Sequence, residues 1–466
     1  MEANNLIIPK SLSRNKNLSV VEDQFSGIGW YALKNGVWVY FFLLMFEGAL
    51  RKWFLPQLAT PLLIIRDPIA IWLIYKSWRA GILTANLYLA AIIGIALTGF
   101  FTALFLGHKN FAVAIFGTRI FLLHFPLLFI IAKVFTANDV IKLGKIVLTL
   151  SIPMTILVAI QFYSPQSAFV NRGVGGDVEG AGFSGALGFF RPPGTFSFTT
   201  GLVQFYGLAA CFIFYFIFNP ALIKRFLLIA AIIALIVAVP LSISRTLLFQ
   251  VITTLIFSLF IVSKYPVYFI KALFGSIVLL MAIFLLSKLS FFSTASEAFM
   301  DRLGSANESE GGLKVIFLDR FLGGMLGALF NNIDIPFFGF GSGMGTNVGS
   351  KLLTGGNTFL ISEGEWGRLI GEYGPLFGLM FIFIRLVFCL QLFIACFKRL
   401  SFNDFLPWLL LSAGFILLLQ GQWAQPATLG FAIFTGGLIL ALLNDHDGAD
   451  NNSMQDIKLF ETIQHD

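Results

Sequence analysis

The chain has 466 residues, of which 57% are hydrophobic and only 12% charged, and its mean hydropathy is +0.86. These values exclude an ordinary soluble domain and predict a membrane protein that crosses the bilayer many times. The formal net charge of +7 does not indicate nucleic-acid binding, because basic residues of membrane proteins collect in cytoplasmic loops. Three cysteines lie inside apolar stretches, which predicts small buried side chains rather than a disulfide framework: Cys211, Cys389 and Cys396.

Hydrophobic stretches recur at the length of a spanning helix, which needs about 20 mostly apolar residues. Twelve such segments are predicted, at 34–54, 58–76, 83–105, 111–132, 144–163, 198–218, 225–241, 246–263, 267–287, 374–396, 404–421 and 426–443. Lys and Arg cluster in alternate connections, so the positive-inside rule places both termini in the cytoplasm. The predicted organisation is a cytoplasmic tail at 1–29, a transmembrane domain at 30–443 with long outer connections at 164–197 and 288–373, and a cytoplasmic tail at 444–466.

Several ionisable residues lie within hydrophobic segments, where each needs a partner or a polar cavity. Glu47 and Arg51 are four residues apart and are predicted to form an ion pair on one helix face. Arg66 and Asp67 are neighbours that point to different faces, so we expect their partners on other helices. Pro68 then interrupts the backbone hydrogen bonds, and both a structural hub and a kink that lines a substrate path remain open.

Other basic residues lie mid-segment or at the predicted outer surface. Arg119 lies mid-segment with His124 nearby, and His124 is interpreted as a packing residue. Arg245 lies in a tight turn between two apolar helices, where it either meets an anionic phosphate or snorkels to the interface. Arg191 precedes two prolines and a run of hydroxyl residues at a helix start, a pattern that favours an anion but also fits simple helix capping.

The longest polar stretch, 335–378, begins with alternating glycines at Gly339, Gly341, Gly343 and Gly345. Glycine allows a positive φ or a close approach of the backbone. The run lacks the Lys-Ser/Thr of a nucleotide-binding loop. We therefore interpret it as a flexible lid or turn rather than a phosphate contact.

Four charged residues follow these glycines: Glu363, Glu365, Arg368 and Glu372. On a helix, Glu365 and Arg368 are three apart and Arg368 and Glu372 four apart, which places all three on one face. This face fits chemistry on a charged, lipid-linked substrate, and it also fits a solvated helix entry.

In their order and spacing these motifs resemble the O-antigen polymerase/ligase superfamily, polytopic glycosyltransferases of bacterial envelopes with a large periplasmic loop. The matching pieces are RPPGTFS at 191–197, SRT at 244–246, DR at 319–320, PFFGFGSG at 336–343 and GEYGPLFG at 371–378. FEGALRKW at 46–53 and IIRDPI at 64–69 resemble the start of one branch of such proteins. The ligases carry a histidine in the large loop at the place held here by Glu363, so the resemblance favours the polymerase branch.

The resemblance implies an all-α fold with about 12 transmembrane helices and a large extracytoplasmic loop, similar to the GT-C glycosyltransferases, in a bacterial inner membrane. The implied activity is polymerisation of polyprenyl-pyrophosphate-linked oligosaccharide repeat units into an envelope or exported polysaccharide on the outer face. Glu363 or Glu365 would activate the acceptor hydroxyl. The candidates for pyrophosphate binding are Arg191, Arg245, Arg320 and Arg368. The candidates for a structural role in the loop are Gly339, Gly341, Gly343 and Glu372.

No cofactor is expected, and the absence of His, Cys and acidic residues at metal-ligand spacing favours a metal-independent reaction. The expected partners are the lipid-linked glycan donor and acceptor, the lipid bilayer, and a flippase and chain-length regulator of the same pathway, with no nucleic acid. Three alternatives remain open: ligase-type transfer to a lipid or protein acceptor, a non-enzymatic scaffold, and a flippase. A flippase would use a polar path along Arg66, Asp67, Arg119 and Arg385.

Overall fold

The computed structural model describes residues 27–270, 288–309, 323–330, 335–356 and 358–463. Within these ranges the chain is mostly helical, with one two-stranded sheet. Eight of the described helices are long and apolar enough to cross a membrane, and two shorter apolar helices accompany them. The prediction of an all-α polytopic protein is confirmed to this extent. Most of the predicted segment 267–287 lies outside the described residues, as do residues 319 and 320 of the DR motif.

The first part of the chain forms six helices. Helices α1 to α6 are Gly27–Ala49, Asp67–Arg79, Leu87–Phe105, Phe111–Arg119, Phe125–Val134 and Ala137–Tyr163. A π-helical segment, Leu50–Phe54, extends α1, and another, Ile120–His124, joins α4 to α5. Such segments are rare and are often found at functional sites.

The prediction that 58–76 forms one spanning helix is wrong for the first half of that segment. That half contains the 3₁₀ turn Pro61–Ile64, and helix α2 has only 13 residues. A helix of that length rises about 20 Å, which is less than the apolar thickness of a bilayer. Pro61 and Pro68 lack the backbone N–H that a continuous helix would need.

The second part of the chain contains a hairpin and six more helices. Strands β1, Phe183–Ala186, and β2, Phe189–Arg191, pair antiparallel, with Phe183 opposite Arg191. Helices α7 to α12 are Thr199–Phe218, Arg225–Leu241, Arg245–Lys264, Ser290–Ser309, Gly324–Phe330 and Asn347–Thr354. The long connection 288–373 is therefore partly helical.

The next helical element, α13, spans Glu365–Arg399 and consists of two helices joined at Gly374, whose φ of 78° and ψ of 168° are not helical. A helix was predicted to start at residue 374. The chain is helical already from Glu365, as the spacing of Glu365, Arg368 and Glu372 suggested. It changes direction at Gly374, because glycine tolerates a positive φ and Pro375 begins a new helix well.

Helices α14, Leu406–Gln420, and α15, Pro426–Ile463, complete the fold. Helix α15 continues beyond the predicted end of the last span at residue 443, and no proline interrupts it. Helices α7 and α15 lie in the centre of the bundle, where Phe205, Phe212 and Phe434 are fully buried. The outer surface carries exposed large apolar side chains such as Phe226 and Phe383, as expected of a surface that contacts lipid.

Candidate functional site

Arg191 lies at the end of the β-hairpin, immediately before the turn formed by Pro192 and Pro193. Its pairing with Phe183 fixes its register in the hairpin. Prolines fix their own φ and restrict the preceding residue to extended conformations, so the direction of the chain at Arg191 is determined locally. The Nε atom of Arg191 is buried and has no hydrogen-bond partner among the described residues.

Arg245 begins α9, directly after the tight turn that follows α8. Ser244 caps α9, with its Oγ accepting a hydrogen bond from the backbone N–H of Leu247 at 3.4 Å. Ile243 is buried and has a φ of 44°. A β-branched residue in this region is strained, and such strain is concentrated at functional sites.

The hairpin, the turn before Arg245 and helix α10 meet at one place. A Cβ on Gly185 would lie 2.7 Å from Ile243 Cδ1 and 3.5 Å from Arg191 Cγ. Helix α10, which carries Arg302, packs against β1. Burial lowers the pKa of Arg191 below its usual value, and the nearby positive charges of Arg302 and Arg245 lower it further. Two of the predicted pyrophosphate ligands, Arg191 and Arg245, are thus brought together with Arg302.

Sequence reasoning missed Arg302. It lies in the predicted outer connection 288–373 and matches no motif, and only the amphipathic pattern of Ser290–Ser309 could have indicated a helix there. Arg320, the third predicted pyrophosphate ligand, lies outside the described residues.

Glu365, Arg368 and Glu372 form a buried ionic cluster with Arg385. Arg368 donates two hydrogen bonds to Glu365, at 2.9 and 3.0 Å, and one to Glu372 at 2.7 Å. Arg385 donates to Glu365 at 2.8 Å. Two carboxylates and two guanidinium groups give a neutral cluster, which is the condition under which charges are tolerated in a protein interior.

Every guanidinium nitrogen of Arg368 donates to a carboxylate within this cluster. Glu365 also accepts a hydrogen bond from the backbone N–H of Trp423 at 3.2 Å. Glu363 differs from both because it is exposed, two residues before the start of α13. The structure therefore makes Glu363 accessible to a ligand and encloses Glu365 and Arg368.

The glycine-rich run at 339–345, here called the glycine strap, is packed against protein rather than open to solvent. Gly339, Gly341 and Gly343 all have positive φ. A Cβ on Gly341 would overlap Ala103 of α3, and the backbone N–H of Gly341 donates to the carbonyl of Glu372 at 3.0 Å. The sequence suggested a flexible lid or turn. The strap does contain a turn at 342–345, but its close packing is not that of a flexible lid.

The strap also binds the carboxylate of Glu372, which accepts a hydrogen bond from the backbone N–H of Gly345 at 2.9 Å. On the other side, Ser342 Oγ lies 2.8 Å from Thr118 Oγ1 on α4. The strap therefore fixes the ionic cluster to helices α3 and α4.

A chain of polar contacts connects the two long connections at one end of the bundle. Thr200, at the start of α7, donates to Gln425 at 3.0 Å. Gln425 contacts Gln422, and Gln422 donates to the backbone carbonyl of Glu363. The turn between α14 and α15 thus bridges the segment that follows Arg191 and the segment that carries Glu363.

The charges in the interior of the first helices have protein partners. Arg66 pairs with Glu47 at 3.1 Å, and Arg119 pairs with Asp67 at 2.6 Å. His124 lies between Asp67, at 3.1 Å, and the hydroxyl of Tyr40, at 3.0 Å. The expectation that Arg66 and Asp67 bind residues outside their own helix is met, and the predicted pair of Glu47 with Arg51 lies at a longer 3.5 Å.

Within the described part of the chain, no three His, Cys, Asp or Glu side chains converge as a metal site would require. The three cysteines are buried and free. No protein-family model, curated protein or solved structure matches the chain.

Proposed function

We propose that this protein is a glycosyltransferase of a bacterial inner membrane that polymerises polyprenyl-pyrophosphate-linked oligosaccharide repeat units at the outer face. The observation that carries the proposal is the convergence of Arg191, Arg245 and Arg302 from three separate segments. Three guanidinium groups at one place offer several charge-assisted hydrogen bonds to an anion such as pyrophosphate. The order of the sequence motifs that resemble the O-antigen polymerases supports the same assignment.

In the proposed reaction, an acceptor hydroxyl oxygen attacks the anomeric carbon of the donor sugar. The bond from that carbon to the pyrophosphate oxygen breaks, and the polyprenyl pyrophosphate leaves with the electron pair. The arginine cluster stabilises the negative charge that develops on this leaving group. A carboxylate takes the proton of the acceptor hydroxyl.

Glu363 is the better candidate for that carboxylate. It is exposed, whereas both oxygens of Glu365 already accept hydrogen bonds from Arg368. A base must reach the proton that it removes. We assign Glu363 as the base, and Glu365, Arg368 and Glu372 as the residues that hold the helix beside it.

The flippase alternative has less support. It needs a polar path along Arg66, Asp67, Arg119 and Arg385, but each of these residues has an ion-pair partner in the protein. Arg385 also donates to the backbone carbonyl of Leu418 at 2.8 Å. These charges stabilise helix packing, so we propose no transport path through them.

The test is polymer formation from purified lipid-linked repeat units by the purified protein in a bilayer. We expect the wild-type protein to form polymer, and Arg191→Lys and Arg245→Lys to lose about 10²-fold in rate, because an ammonium cannot replace the guanidinium fork. Arg79→Lys is the control, since Arg79 is exposed on α2 and donates a hydrogen bond to Tyr75 of the same helix. Polymer formation at the normal rate by both Lys variants would refute the arginine assignment.

A second experiment identifies the lipid-linked species that accumulates in cells that lack the protein. Accumulation of single lipid-linked repeat units on the outer leaflet is the expected result. Accumulation of finished polymer would instead indicate a ligase, and material trapped on the inner leaflet would indicate a flippase.

A further inference from the structure

The FEGALRKW motif at 46–53 has no role in the reaction described above, yet it contacts the turn that follows Arg191. Lys52 donates a hydrogen bond from Nζ to the carbonyl of Gly194 at 2.6 Å. Arg51 donates to Ser197 Oγ at 3.1 Å, and Thr195 Oγ1 donates to the carbonyl of Met45 at 2.8 Å. The end of α1 and the π-helical segment after it therefore hold the RPPGTFS segment along most of its length.

Lys52 is unusual because its side chain is completely buried, with 0% exposed. No carboxylate pairs with it in the described part of the chain, and its other close contact is the ring of Trp53, at 4.5 Å from the ring centroid. A buried ammonium group is costly without strong hydrogen bonding or a nearby anion. Packing alone does not explain a charged side chain at this buried position. The hydrogen bond from Lys52 to Gly194 therefore needs a separate explanation.

Gly194 is held from a second direction by Gln161 of α6. The backbone N–H of Gly194 donates to Gln161 Oε1 at 2.8 Å, and Gln161 Nε2 donates to the carbonyl of Gly194 at 3.2 Å. Gln161 is itself buried, so its amide is fixed in place. The peptide groups of Gly194 are therefore anchored by two buried side chains from different helices.

The two residues between Gly194 and Arg191 extend the restriction of the backbone from Gly194 to Arg191. Pro192 and Pro193 each have a fixed φ, and Pro192 restricts Arg191 to an extended conformation. Few torsions remain free between Gly194 and Arg191, while the pairing of Arg191 with Phe183 fixes the other side. A movement of Gly194 therefore shifts the backbone of Arg191, which carries the guanidinium.

We propose that Lys52 is a positioning residue that fixes the Arg191–Gly194 turn, so that Arg191 faces Arg245 and Arg302 in an orientation that binds a pyrophosphate group. The pyrophosphate part of this inference rests on the proposed function, but the positioning part does not. Lys52 acts through Arg191, and its own ammonium remains bonded to the Gly194 carbonyl.

The first experiment needs no ligand. Hydrogen exchange of backbone amides in the peptide covering 183–198 is measured in the purified full-length protein, and Lys52→Met should speed the exchange of residues 194–197 about tenfold, the effect of losing one strong hydrogen bond. Lys34→Met is the matched control, because Lys34 lies on the same helix and pairs with Asp139 at 2.6 Å. Unchanged exchange in Lys52→Met would overturn the proposal. If Lys52→Met does not fold, Gln161→Leu removes the other anchor and should give the same increase.

The second experiment is a double-mutant cycle with inorganic pyrophosphate as the probe. Lys52→Met and Arg191→Ala should each weaken pyrophosphate binding about tenfold, and the double variant should bind no more weakly than Arg191→Ala alone. If the two losses of pyrophosphate affinity add in the double variant, Lys52 does not act through Arg191. If the wild-type protein binds no pyrophosphate while the exchange result holds, Lys52 still positions the turn and the proposed function is the part that fails.

Discussion

Glu365 and Arg385 are twenty residues apart on one helical element, yet they form an ion pair of 2.8 Å. In a straight α-helix, with a rise of 1.5 Å per residue, they would be about 30 Å apart. The contact forms because the chain reverses at Gly374, and a Cβ on Gly378 would lie only 2.6 Å from Ile370 Cα. Residues 365–373 therefore form a short helix that packs antiparallel along 375–399.

The reversal predicts that Gly374→Ala is strongly destabilising. Alanine at a φ of 78° and a ψ of 168° costs about 1–3 kcal/mol in backbone conformation alone, because this region is populated almost only by glycine. A Cβ on Gly374 would also overlap the carbonyl oxygen of Phe337, two residues before the glycine strap. We expect a large drop in the thermal midpoint of the detergent-solubilised protein.

Gly188→Ala separates these two effects. Gly188 has a φ of 79°, but a Cβ there would meet no atom within 4 Å. This variant should show the conformational cost without the clash. Equal drops in the thermal midpoint of Gly374→Ala and Gly188→Ala would argue against tight packing at the reversal.

The ionic cluster predicts a charge-balance effect. Arg385→Gln leaves the cluster with one excess negative charge in the interior, which we expect to lower stability by about 3–5 kcal/mol. Adding Glu365→Gln to this variant restores neutrality and should recover part of the loss. Thermal unfolding of the two single variants and the double variant measures the coupling, and purely additive losses would contradict it.

The sequence predicted those parts of the site that depend on local spacing. The alternating glycines indicated the positive φ of Gly341, and the three-four spacing indicated the contacts of Arg368 with its two glutamates. The partner of Arg385 could not be predicted, because helical periodicity gives no sign that the chain reverses at Gly374. Lys52 was missed for a similar reason, since its partner Gly194 lies 142 residues away and is brought close only by packing.

Arg302 provides a prediction that does not depend on any sequence motif. If it forms part of the pyrophosphate site, Arg302→Ala should lower the rate of polymer formation about 10²-fold, as the loss of one preorganised charge does elsewhere. Met300→Ala is the control, because Met300 lies two residues away on the same helix and is 60% exposed. Comparable rates for the two variants would remove Arg302 from the site.

The orientation in the membrane can be tested by cysteine labelling of intact cells, since the three native cysteines are buried. Glu179 and Lys351 are exposed residues in the two long connections, and Lys224 is exposed between α7 and α8. Impermeant maleimide should label Glu179→Cys and Lys351→Cys from outside and should label Lys224→Cys only after permeabilisation. The reverse pattern would invert the proposed topology.

The two candidate base residues, Glu363 and Glu365, should give opposite results when changed to glutamine. Arg385 follows the reversal at Gly374 by eleven residues, which is about 16 Å of helix rise. Its partner Glu365 therefore lies at a similar distance from the reversal. Glu363 precedes Glu365 by two residues and is exposed, so an acceptor hydroxyl could reach it.

Glu363→Gln keeps the shape of the side chain and removes the proton acceptor, so we expect polymer formation to fall by about 10²- to 10⁴-fold with an unchanged thermal midpoint. Glu365→Gln should instead lower the thermal midpoint, because it leaves Arg368 and Arg385 with only one carboxylate. Rates and midpoints are measured on the same preparations, with pyrophosphate binding as the control that the arginine cluster is intact. Normal polymer formation by Glu363→Gln would exclude it as the base, and the arginines would then be the main source of rate enhancement.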